Sequence, residues 1–549
     1  MKSTDEEGVD FSSLPALPKN WSWCVPSDIC KVVASGSTPP PEKMFEDKGE
    51  IPFIKVYNLT HTGLLDFSVR PTFIARSTHE GHLKRSRTQS GDVLINIVGP
   101  PLGKVSMVPD DHPEWNINQA IVVFRPEPGI SRRYIKYAFL NEEIMSRVTS
   151  LAKATAGQSN IGVSMCRNRL PVPLSPENEQ VRIVSKIEEL FSDLDAGVAS
   201  LLRVQANLKR YRAAVLKAAI EGKLTEDWRA KHPDTKPASL FLERILVDRR
   251  SKWEQTQLTK LAQTGKQPSK GWQAKYKEPE IPEGINGSEL PSGWCWATVE
   301  QITSKVVDGV HKKPNYVSEG IPFVSVRNLT AGPGISFEKL NYITEEDHQT
   351  FIRRADPERG DLLISKDGTL GVTRVVRTDK QFSIFVSVAL LKPIDTQISE
   401  YLGYALASQQ VQARMISKGI GLQHIHLEDM RKVCVPIPPM DEQQQIVDEV
   451  ERHISVINEI EAQVDANLKR TSRLRQGILK RAFDGRLVPQ DPNDEPADQL
   501  LARIRDQRQS TPTSTNGKPR SRRPGSPRNS RSATPLFDQD DGDNQGGES

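Results

Sequence analysis

Apolar residues recur with heptad spacing along two long stretches of the chain, residues 175–224 and 438–487. This spacing predicts two amphipathic helices, each with a coiled-coil seam. Ser175 and Pro176 suit the first turn of the first helix, and Gly222 suits the left-handed residue that ends it. A helix of roughly 35 to 40 residues rises about 1.5 Å per residue, so it is about 55 Å long and cannot bury its apolar stripe alone. We therefore expect the two helices to pack on each other.

Apolar side chains at heptad positions a and d of both helices define the predicted seam. They are Ile187, Leu190, Leu194, Leu201, Val204 and Leu208 in the first helix, and Val450, Ile454, Ile457, Val464 and Leu468 in the second. Glu461, Thr471 and Arg475 also fall on the seam of the second helix and weaken it. The helices alone are equally consistent with a generic coiled coil used for oligomerisation.

The segments that precede the two helices are copies of one domain. Residues 51–60 (IPFIKVYNLT) and 321–330 (IPFVSVRNLT) share seven of ten residues, and GDVLI at 91–95 recurs as GDLLI at 360–364. Order and spacing are preserved, and a second, shorter helical stretch follows each long helix. The whole unit of globule, long helix and short helix is therefore duplicated.

Within each globule the apolar runs are short, β-branched and bounded by Gly, Pro or Asn, for example at 93–98, 120–124 and 384–391. Such runs predict a curved, mostly antiparallel sheet with a few helices. Pro-x-Pro runs at 171–173 and 436–438 mark the exits into the long helices, because proline continues neither a helix nor an interior strand. The predicted fold class is α+β: two repeated mostly-β domains, each followed by a long helix, with the long helices paired as an antiparallel coiled coil about a pseudo-twofold.

Composition and these patterns divide the chain into seven predicted segments. They are a disordered leader (1–17), a first globule (18–174), a long plus a short helix (175–258), a linker rich in Lys, Pro and Gly (259–290), a second globule (291–437), a second long plus short helix (438–508) and a disordered tail (509–549). The basic stretch of the tail, 518–531, is more typical of a solvated segment than of a phosphate-binding one.

Charge and cysteine content exclude few functions. The 549 residues carry a formal net charge of +4, so charge alone does not indicate nucleic acid. Five cysteines form no CxxC pair, which favours reduced thiols in a cytosolic protein and neither zinc nor disulfides. No stretch approaches ~18 consecutive apolar residues and the acidic first ten residues lack a signal-peptide core, so we expect a cytoplasmic protein with no membrane partner.

The sequence contains no motif of a catalytic centre. It lacks a phosphate-binding P-loop, HExxH, GxSxG and a Rossmann GxGxxG. His424 and His426 lack a third ligand, so a metal site there is disfavoured, and the glycines of 366–371 fit a tight hairpin better than a reactive site. We therefore predict no catalytic residue, no metal and no cofactor in this chain.

Both long helices are entered through the same constellation, Pro-x-Pro followed by Glu-Gln-x-x-Ile-Val. It consists of Pro171-Val-Pro173, Glu179-Gln180 and Ile183-Val184 in the first copy, and of Pro436-Ile-Pro438, Glu442-Gln443 and Ile446-Val447 in the second. Over roughly residues 18–508 the chain resembles the specificity subunits of type I restriction-modification enzymes.

The resemblance implies that each globule is a target-recognition domain that reads one half of a split sequence in double-stranded DNA. It implies that the paired helices set the spacing of the half-sites and dock two methyltransferase subunits, and that restriction subunits, which are nuclease-translocases, join the assembly. S-adenosylmethionine, ATP and Mg²⁺ would then be bound by the partner subunits, and adenine N6 is the usual methyl acceptor in the family. The missing catalytic motifs agree with this division of roles.

Polar and cationic loop residues of the two globules are the candidate DNA contacts, because Arg and Lys suit guanine while Asn and Gln suit adenine. They are Lys84, Arg85, Arg87, Gln158, Ser159 and Asn160 in the first globule, and Lys312, Lys313, Lys366, Lys418, Gln423 and His424 in the second. For a single Lys or Arg, a phosphate contact or a solvated charge is the commoner role. The loops just before the Pro-x-Pro exits, around 158–160 and 418–424, are the stronger candidates.

The charge of each globule bears on how tightly the chain alone could hold DNA. Residues 18–178 carry a net charge of +4 and residues 293–440 a net charge of +1. Counterion release from this chain should therefore be modest, and tight binding should require the methyltransferase partners.

Two interpretations from other classes stay open on the sequence. One is a coiled-coil scaffold whose globules bind peptides or glycans, which predicts no dependence on DNA sequence. The other is an enzyme with its own methyltransferase or nuclease centre, which the missing motifs disfavour. Labelled S-adenosylmethionine and DNA, supplied with and without a methyltransferase partner, would separate all three.

Overall fold

The computed structural model describes residues 9–155, 158–283, 289–415 and 424–510, with the backbone alone described for 153–155 and 158–159. Most of the predicted tail, from residue 511, and the first eight residues of the predicted leader lie outside this part of the chain. The chain forms two compact units, one from Met1–Lys186 with Leu479–Ser549 and the other from Ile187–Ile478. Each unit contains one globule and parts of both long helices.

The first globule consists of short strands and short helices, as its short β-branched runs predict. Its elements are β1 (Ser22–Cys24), α1 (Pro26–Ile29), β2 (Cys30–Ser35), β3 (Met44–Glu46), β4 (Ile51–Ile54), β5 (Thr72–Ile74), α2 (Arg76–Glu80), β6 (Arg87–Thr88), β7 (Val93–Asn96), β8 (Val105–Met107), β9 (Trp115–Ile117), β10 (Ile121–Pro126), α3 (Arg132–Leu140), α4 (Glu142–Thr149), β11 (Lys153–Thr155), β12 (Gln158–Asn160), α5 (Val163–Asn168) and β13 (Val172–Leu174). Single 3-10 turns occur at Phe11–Ser13, Pro41–Lys43, Val56–Asn58 and Lys84–Ser86.

The second half of the chain repeats this order after three helices. The helices are α6 (Glu177–Ile220), α7 (Glu226–Lys231) and α8 (Ala238–Gln263), followed by a 3-10 turn at Trp272–Lys275. The second globule comprises β14 (Cys295–Thr298), α9 (Val299–Ile302), β15 (Thr303–Asp308), β16 (Tyr316–Val317), β17 (Ile321–Val324), α10 (Val326–Thr330), β18 (Asn341–Ile343), α11 (Glu345–Phe351), β19 (Leu362–Ser365), β20 (Thr373–Val375), β21 (Ser383–Ile384), β22 (Val388–Pro393), a 3-10 turn (Thr396–Ile398), α12 (Ser399–Ala407), α13 (Gln409–Met415), α14 (Leu427–Lys432) and β23 (Cys434–Ile437). The helices α15 (Met440–Phe483) and α16 (Ala497–Ser510) follow.

Both globules contain the same pair of sheets. The four-stranded antiparallel sheet has the order β2-β10-β7-β8 in the first globule and β15-β22-β19-β20 in the second. The other sheet has the order β3-β5-β4-β9-β6 or β16-β18-β17-β21, with one parallel pair in each copy, β4 with β9 and β17 with β21. The predicted duplication of one mostly-β fold is confirmed. The single curved sheet of the sequence prediction is corrected to two larger sheets in each globule, in addition to the two-stranded pairs β1-β13 and β11-β12 in the first and β14-β23 in the second. The parallel pairs join strands far apart in the chain, which no local pattern predicts.

The long helices α6 and α15 pack on each other within the second unit as an antiparallel pair. Asp195 contacts Arg475, and Arg212 donates to Asn458 at 2.8 Å, so residue numbers rise along one helix as they fall along the other. The two contacts are equivalent when α6 is aligned with α15 at an offset of 263 residues: positions 195 and 212 of α6 correspond to positions 458 and 475 of α15. The predicted antiparallel coiled coil is confirmed, and its two sides are related by a pseudo-twofold. With 44 residues each, the helices are about 66 Å long.

One of the predicted seam residues is wrong by a single position. Val204 is 38% exposed, and its neighbour Gln205 instead contacts Asp465 of α15 at 3.5 Å. Phe191 is buried whereas its neighbour Leu190 is half-buried, so the heptad steps of three and four alternate in the opposite order from the prediction. Of the other predicted seam residues, Ile187, Leu208, Val450, Ile457 and Val464 are buried and Leu190, Leu194, Leu201, Ile454 and Leu468 are half-buried.

The polar residues of the seam have partners across the helix pair. Arg212 donates to Glu461 Oε2 at 2.8 Å, and the Arg475 guanidinium lies 4.8 Å from the ring centroid of Phe191. Charged groups that the sequence predicts as weak points are therefore satisfied in this one alignment of the two helices. Such pairs specify the register of a coiled coil more than its stability.

Each short helix packs on one globule and begins at the same kind of backbone contact. Ala238 N, at the start of α8, donates to Gly293 O at 2.8 Å, and Ala497 N, at the start of α16, donates to Asn20 O at 2.9 Å. The helix that follows the first long helix thus belongs to the second globule, and the helix that follows the second long helix belongs to the first. In the second unit the end of α6, the first half of α8 and the start of α15 share one apolar core with the globule.

Three further elements differ from the sequence prediction. The sequence also predicts a helical stretch around 134–148, which forms two helices, α3 and α4, because the Asn141 side chain accepts from the N–H groups that begin α4. The apolar run 384–391 is interrupted between β21 and β22. Residues 259–290, predicted to be a linker, include the last turn of α8 and the 3-10 turn at Trp272–Lys275.

Candidate nucleic-acid interface

Two loops of each globule, and the described end of a third, meet at one end of its four-stranded sheet. In the first globule β2 and β7 both end beside the start of β10, where Ser35 pairs with Val122 and Asn96 with Ile121. The equivalent strands of the second globule, β15 and β19, end beside the start of β22. We call residues 36–40 and 309–313 the glycine loops and residues 97–104 and 366–372 the pinned loops. Residues 153–160 and 416–424, just before the Pro-x-Pro exits, are the exit loops.

The glycine loops begin where the backbone touches a neighbouring strand. A Cβ on Gly36 or Gly309 would lie 2.2 or 2.1 Å from a backbone carbonyl oxygen, so no other residue fits without a shift of the backbone. The sequence after the glycine differs between the copies. Pro39 and Pro40 in the first globule correspond to Lys312 and Lys313 in the second, whose exposed ammonium groups have no ion-pair partner among the described residues.

A buried polar side chain at the end of one strand fixes each pinned loop. Asn96 Nδ2 donates to Pro101 O at 2.8 Å, and Asn96 Oδ1 accepts from Lys104 N at 2.6 Å. In the second globule Ser365 Oγ accepts from Val372 N at 2.8 Å. Asn96 and Ser365 are both fully buried, so these bonds persist out of contact with water.

The residue just after each exit loop donates a backbone hydrogen bond to the pinned loop of its globule. Ile161 N donates to Ile97 O at 2.9 Å, and Ile425 N donates to Lys366 O at 3.0 Å. The equivalence of these bonds makes Asn160 and His424, the residues just before them, structural counterparts. These two candidate DNA contacts therefore occupy the same position in the two globules.

Lys366 is held between two carboxylates rather than offered to a ligand. Its Nζ lies 3.5 Å from Asp308 Oδ2 and 3.5 Å from Asp367 Oδ2, and its side chain is 15% exposed. Asp308, which is buried, also contacts Arg354, and His311 Nε2 lies 3.3 Å from its Oδ2. We therefore interpret Lys366 as a residue that positions the pinned loop, not as a direct DNA contact.

The charge state of Asp308 follows from this surrounding. Burial alone would raise the pKa of the Asp308 carboxyl, but the hydrogen bond from Arg354 and the neighbouring cations outweigh it, so the pKa lies below its ordinary value. The carboxylate is thus ionised at neutral pH and attracts Lys366. This ion cluster ties the glycine loop to the pinned loop.

His424 is oriented by Asp367 of the pinned loop. Its Nδ1 contacts Asp367 Oδ1, and because a carboxylate can only accept, Nδ1 carries the proton. Nε2 is then free to bind an external group, and the side chain is 49% exposed. An exposed imidazole nitrogen at this position can meet a polar group on a base edge.

The exit loop of the first globule is a two-stranded hairpin. β11 pairs with β12 so that Lys153 faces Asn160 and Thr155 faces Gln158, and Asn160 also bridges to Val98 of the pinned loop. The side chains of Gln158 and Ser159 lie outside the described part of the structure, as do Lys418 and Gln423 altogether. Asn160 is described and is exposed beside the pinned loop.

The structure does not bring the cations at 84–87 to these loops. Arg87 O accepts from Arg125 Nη2 at 3.4 Å, and Arg125 pairs with the buried Asp92 near the other end of β10. Lys84 and Arg85 are exposed in the adjacent 3-10 turn. This cationic group therefore lies about a strand length from the loop cluster.

The described part of the chain shows no clustered metal ligands and no cysteine with a lowered pKa. The described residues contain no group of three or more His, Cys, Asp and Glu side chains arranged to hold a metal ion. The five cysteines are unbridged, and burial raises the pKa of Cys166 to about 12 and that of Cys295 to about 11, so these thiols stay protonated. No described helix is both long and apolar enough to cross a membrane.

Sequence reasoning missed the residues that support the loops, namely Asn96, Ser365, Asp308 and Asp367. A signal was present, because VLIN at 93–96 aligns with LLIS at 362–365 and each copy places a polar residue at the end of an apolar strand. A polar residue in that position fits either a solvated strand end or a buried brace, and only the fold distinguishes the two.

Comparison with known proteins connects these loops to a family. A family model described as the type I restriction modification DNA specificity domain matches residues 18–201 and 309–470. The EcoBI specificity subunit of a type I restriction enzyme from Escherichia coli is 27% identical over 322 residues, which are 58% of this chain and 59% of that protein. The EcoKI specificity subunit from Escherichia coli K12 is 24% identical over 377 residues, 67% of this chain and 68% of that protein.

The fold also has a counterpart among solved structures. A chain from a study of complex assembly and conformational transition of the type I R-M system is 19% identical, with a TM-score of 0.53. The match covers 86% of this chain and 100% of the other. The alignment with the EcoBI subunit spans about three fifths of that protein's length, so the shared region is the part to which the similarity applies.

Proposed function

Because this chain belongs to the family described as type I restriction modification DNA specificity domains, we propose that it is the sequence-reading subunit of such an enzyme. Each globule reads one half of a bipartite target in double-stranded DNA, and the paired long helices hold the two readers at a fixed spacing. Two methyltransferase subunits and the restriction subunits are recruited to the complex. The chain itself catalyses no reaction, and S-adenosylmethionine, ATP and Mg²⁺ are bound by the partners.

The observation that carries the proposal is a loop cluster that has the same frame in both globules and different contact residues. Asn160 in one copy is His424 in the other, and prolines in one glycine loop are Lys312 and Lys313 in the other. A shared frame with different donors and acceptors is what two readers of different base sequences require. Half-sites read from one face of B-DNA lie about 34 to 36 Å apart, and helices of about 66 Å are long enough to span that distance and to contact partners as well.

The test is to sequence the methylated positions produced by this chain. The full-length chain, its methyltransferase partner and S-adenosylmethionine are incubated with a pool of duplexes that contain random sequence, and methylated duplexes are sequenced. A split consensus with a fixed gap is expected. A loss of all sequence preference would favour the scaffold interpretation, and methylation without the partner would favour an enzyme with its own catalytic centre.

A single substitution assigns one half-site to one globule. His424→Asn gives the second globule the residue that the first has at the equivalent position, so the base preference should change in one half of the consensus only. Lys231→Gln, at an exposed position on α7, is the matched control and should leave both halves unchanged. If His424→Asn altered both halves or neither, the assignment of the loop cluster as a reader would be wrong.

A further inference from the structure

A lysine-rich segment near the second globule lies outside the loops that we propose to read DNA. Residues 255–277 contain five lysines and no Asp or Glu, whereas the whole 549-residue chain has a net charge of only +4. We call these residues the lysine strap. They comprise the last turns of α8, a reversal at Gly265 with a φ of 64°, and the 3-10 turn at Trp272–Lys275.

Aromatic side chains dock the lysine strap against α8. Trp272 stacks on Trp253 with ring centroids 5.8 Å apart and an angle of 19° between the planes, and Tyr276 packs on the edge of Trp253 at 5.3 Å. Arg249 Nη1 donates to Tyr276 Oη at 2.6 Å. Because a stacked pair of indoles holds the returning chain, the strap is a built surface and not the free linker that its composition predicts.

Cations at the base of the strap serve to anchor it on the globule. Arg249 Nε donates to the carbonyl oxygens of Glu300 at 3.0 Å and Thr303 at 3.3 Å, and Lys252 Nζ donates to Ile394 O at 2.6 Å. These groups already have protein partners. They explain how the strap is fixed and add little charge for a ligand.

The ammonium groups of the five strap lysines are not engaged by the described residues. All five lysines are exposed, and none of their ammonium groups has a hydrogen bond or an ion pair with another described residue; they are Lys260, Lys266, Lys270, Lys275 and Lys277. Five exposed cations with no carboxylate among them form a positive surface that favours an extended polyanion.

We propose that the lysine strap binds the phosphate backbone of duplex DNA beside the half-site read by the second globule. The inference rests on the proposed function and extends it with a contact that is independent of sequence. Thr303, to which the strap is anchored, begins β15, and Asp308 at the other end of that strand lies in the loop cluster, about 17 Å away at 3.3 Å per residue. That distance is about half a turn of B-DNA, so phosphates that flank the half-site lie within reach.

Lysine composition favours DNA over a protein partner as the occupant. Protein–protein interfaces are depleted in lysine, and their central contacts are aromatic or apolar. Trp272 of the strap is already stacked on Trp253 of α8, which also packs on Tyr276, and this leaves the five lysines as the exposed charged groups of the strap. Lysine ammonium groups bind phosphates as point charges, without selecting a sequence.

The experiment measures how salt weakens binding of the full-length chain to a random-sequence 40-base-pair duplex. In the test variant all five strap lysines are changed to Gln. Each phosphate contact contributes about 0.9 to the slope of log affinity against log salt. The variant should therefore bind more weakly at low salt and lose about 2 to 4 from that slope, while the methylation consensus obtained with the partner stays the same.

Two controls separate charge placement from total charge and from folding. Changing Lys209, Lys231, Lys236, Lys339 and Lys469 to Gln removes the same charge at exposed positions elsewhere and should alter the slope by less than 1. Changing the five strap lysines to Arg keeps the charge and should restore the wild-type slope. Thermal melting of each variant reports whether it is folded.

Each outcome decides one question. An unchanged slope in the strap variant, or a loss no greater than in the control variant, would overturn the strap proposal and leave the proposed function intact. A wild-type slope combined with weaker co-purification of the methyltransferase would assign the strap to a protein partner instead. Absence of any consensus with wild-type protein would defeat the proposed function, whatever the slope.

Discussion

Glu179 and Glu442 occupy equivalent positions in the first turns of the two long helices, and each accepts a hydrogen bond from a tryptophan. Only Glu442 also forms an ion pair with an arginine. Glu442 Oε2 accepts from Trp294 Nε1 at 2.9 Å, and its Oε1 accepts from Thr225 Oγ1 at 2.7 Å and from Arg229 Nη2 at 2.8 Å. Glu179 Oε2 accepts from a tryptophan at the same 2.9 Å, but its Oε1 has no hydrogen-bond partner among the described residues. Both carboxylates are 1% exposed.

The two substitutions Glu442→Gln and Glu179→Gln should therefore have different effects on stability. Glutamine at 442 removes the charge that Arg229 pairs with and turns one acceptor atom into a donor opposite the remaining N–H or O–H groups. Breaking a buried ion pair by removing one partner costs about 3–5 kcal/mol. Arg229 is 21% exposed and can regain some hydration, so we expect a loss of about 2–4 kcal/mol in the free energy of unfolding of the second unit.

Glutamine at 179 should leave the first unit within about 1 kcal/mol of the wild type. Its oxygen can still accept from Trp21, and the substitution removes a buried charge that has no pairing cation within hydrogen-bond distance of Oε1. Burial raises the pKa of the Glu179 carboxyl above its ordinary value of 4.5, against the opposing hydrogen bond from Trp21 and the Arg182 charge. The protonated form is thus the one that suits the folded state.

The sign of the pH effect follows from that shift. With the folded-state pKa raised, the wild type is most favoured below about pH 4.5 and loses this contribution as the pH rises through the folded-state pKa. Glu179→Gln does not titrate, so its stability relative to the wild type should improve as the pH rises above about 4.5, until the wild-type carboxyl is fully ionised. No such pH trend at Glu179 would contradict the burial argument.

The assay is hydrogen exchange measured by mass spectrometry on both variants, because it reports the two units separately. Peptides that cover residues 222–232 should exchange faster in Glu442→Gln, while those that cover 18–30 should be little changed in Glu179→Gln. Scanning calorimetry of the full-length chain gives the accompanying shift of the melting transition. Equal destabilisation by the two substitutions would refute the reasoning, since it would mean that the indole hydrogen bond and not the ion pair decides the stability.

Three further outcomes test other parts of the structure. Four residues inserted after Ala199 add about 6 Å of helix, so the gap in the methylated consensus should lengthen, and an unchanged gap would contradict the ruler. Gly222→Ala should destabilise by about 1–2 kcal/mol, because φ is 68° and a Cβ would lie 2.6 Å from neighbouring side chains, whereas Gly197→Ala, in open space within α6, should stabilise by about 0.5–1 kcal/mol in a denaturant titration. Asp308→Asn should speed hydrogen exchange of 366–372 at neutral pH; since the pKa of Asp308 is lowered, the wild type should lose this protection as the pH falls through that value, and equal exchange in the two proteins would argue against the ion cluster.

The sequence predicts the long helices and the duplication well, because both signals extend over many residues. A heptad pattern sustained for about 40 residues and a ten-residue repeat are hard to obtain by chance. The misplacement of Val204 shows the limit of this reasoning. Heptad spacing favours the apolar Val204 over Gln205, whereas in the structure the buried Phe191 sets the order of the three- and four-residue steps.

Features that depend on contacts between distant residues could not be predicted in the same way. The parallel pair β4–β9 joins strands more than 60 residues apart, so the division into two sheets has no local signal. The role of Lys366 depends on Asp308, a residue at the end of β15, far from Lys366 in the sequence. Composition predicts a linker for the lysine strap. The strap is ordered instead by the indole stack of Trp253 and Trp272, which lie on either side of a chain reversal, and no local pattern predicts such a contact.

The first compact unit is assembled from two segments that the ribosome makes far apart in time. Residues up to Lys186 need the end of α15 and the whole of α16, which begin only at Leu479, to complete their packing. At roughly 5–20 residues per second, translation of the intervening part takes on the order of 15–60 s, ample time for residues 187–478 to fold first. During that interval the nascent first globule lacks the helix that Asn20 will later cap, and a chain arrested before residue 497 would never receive it.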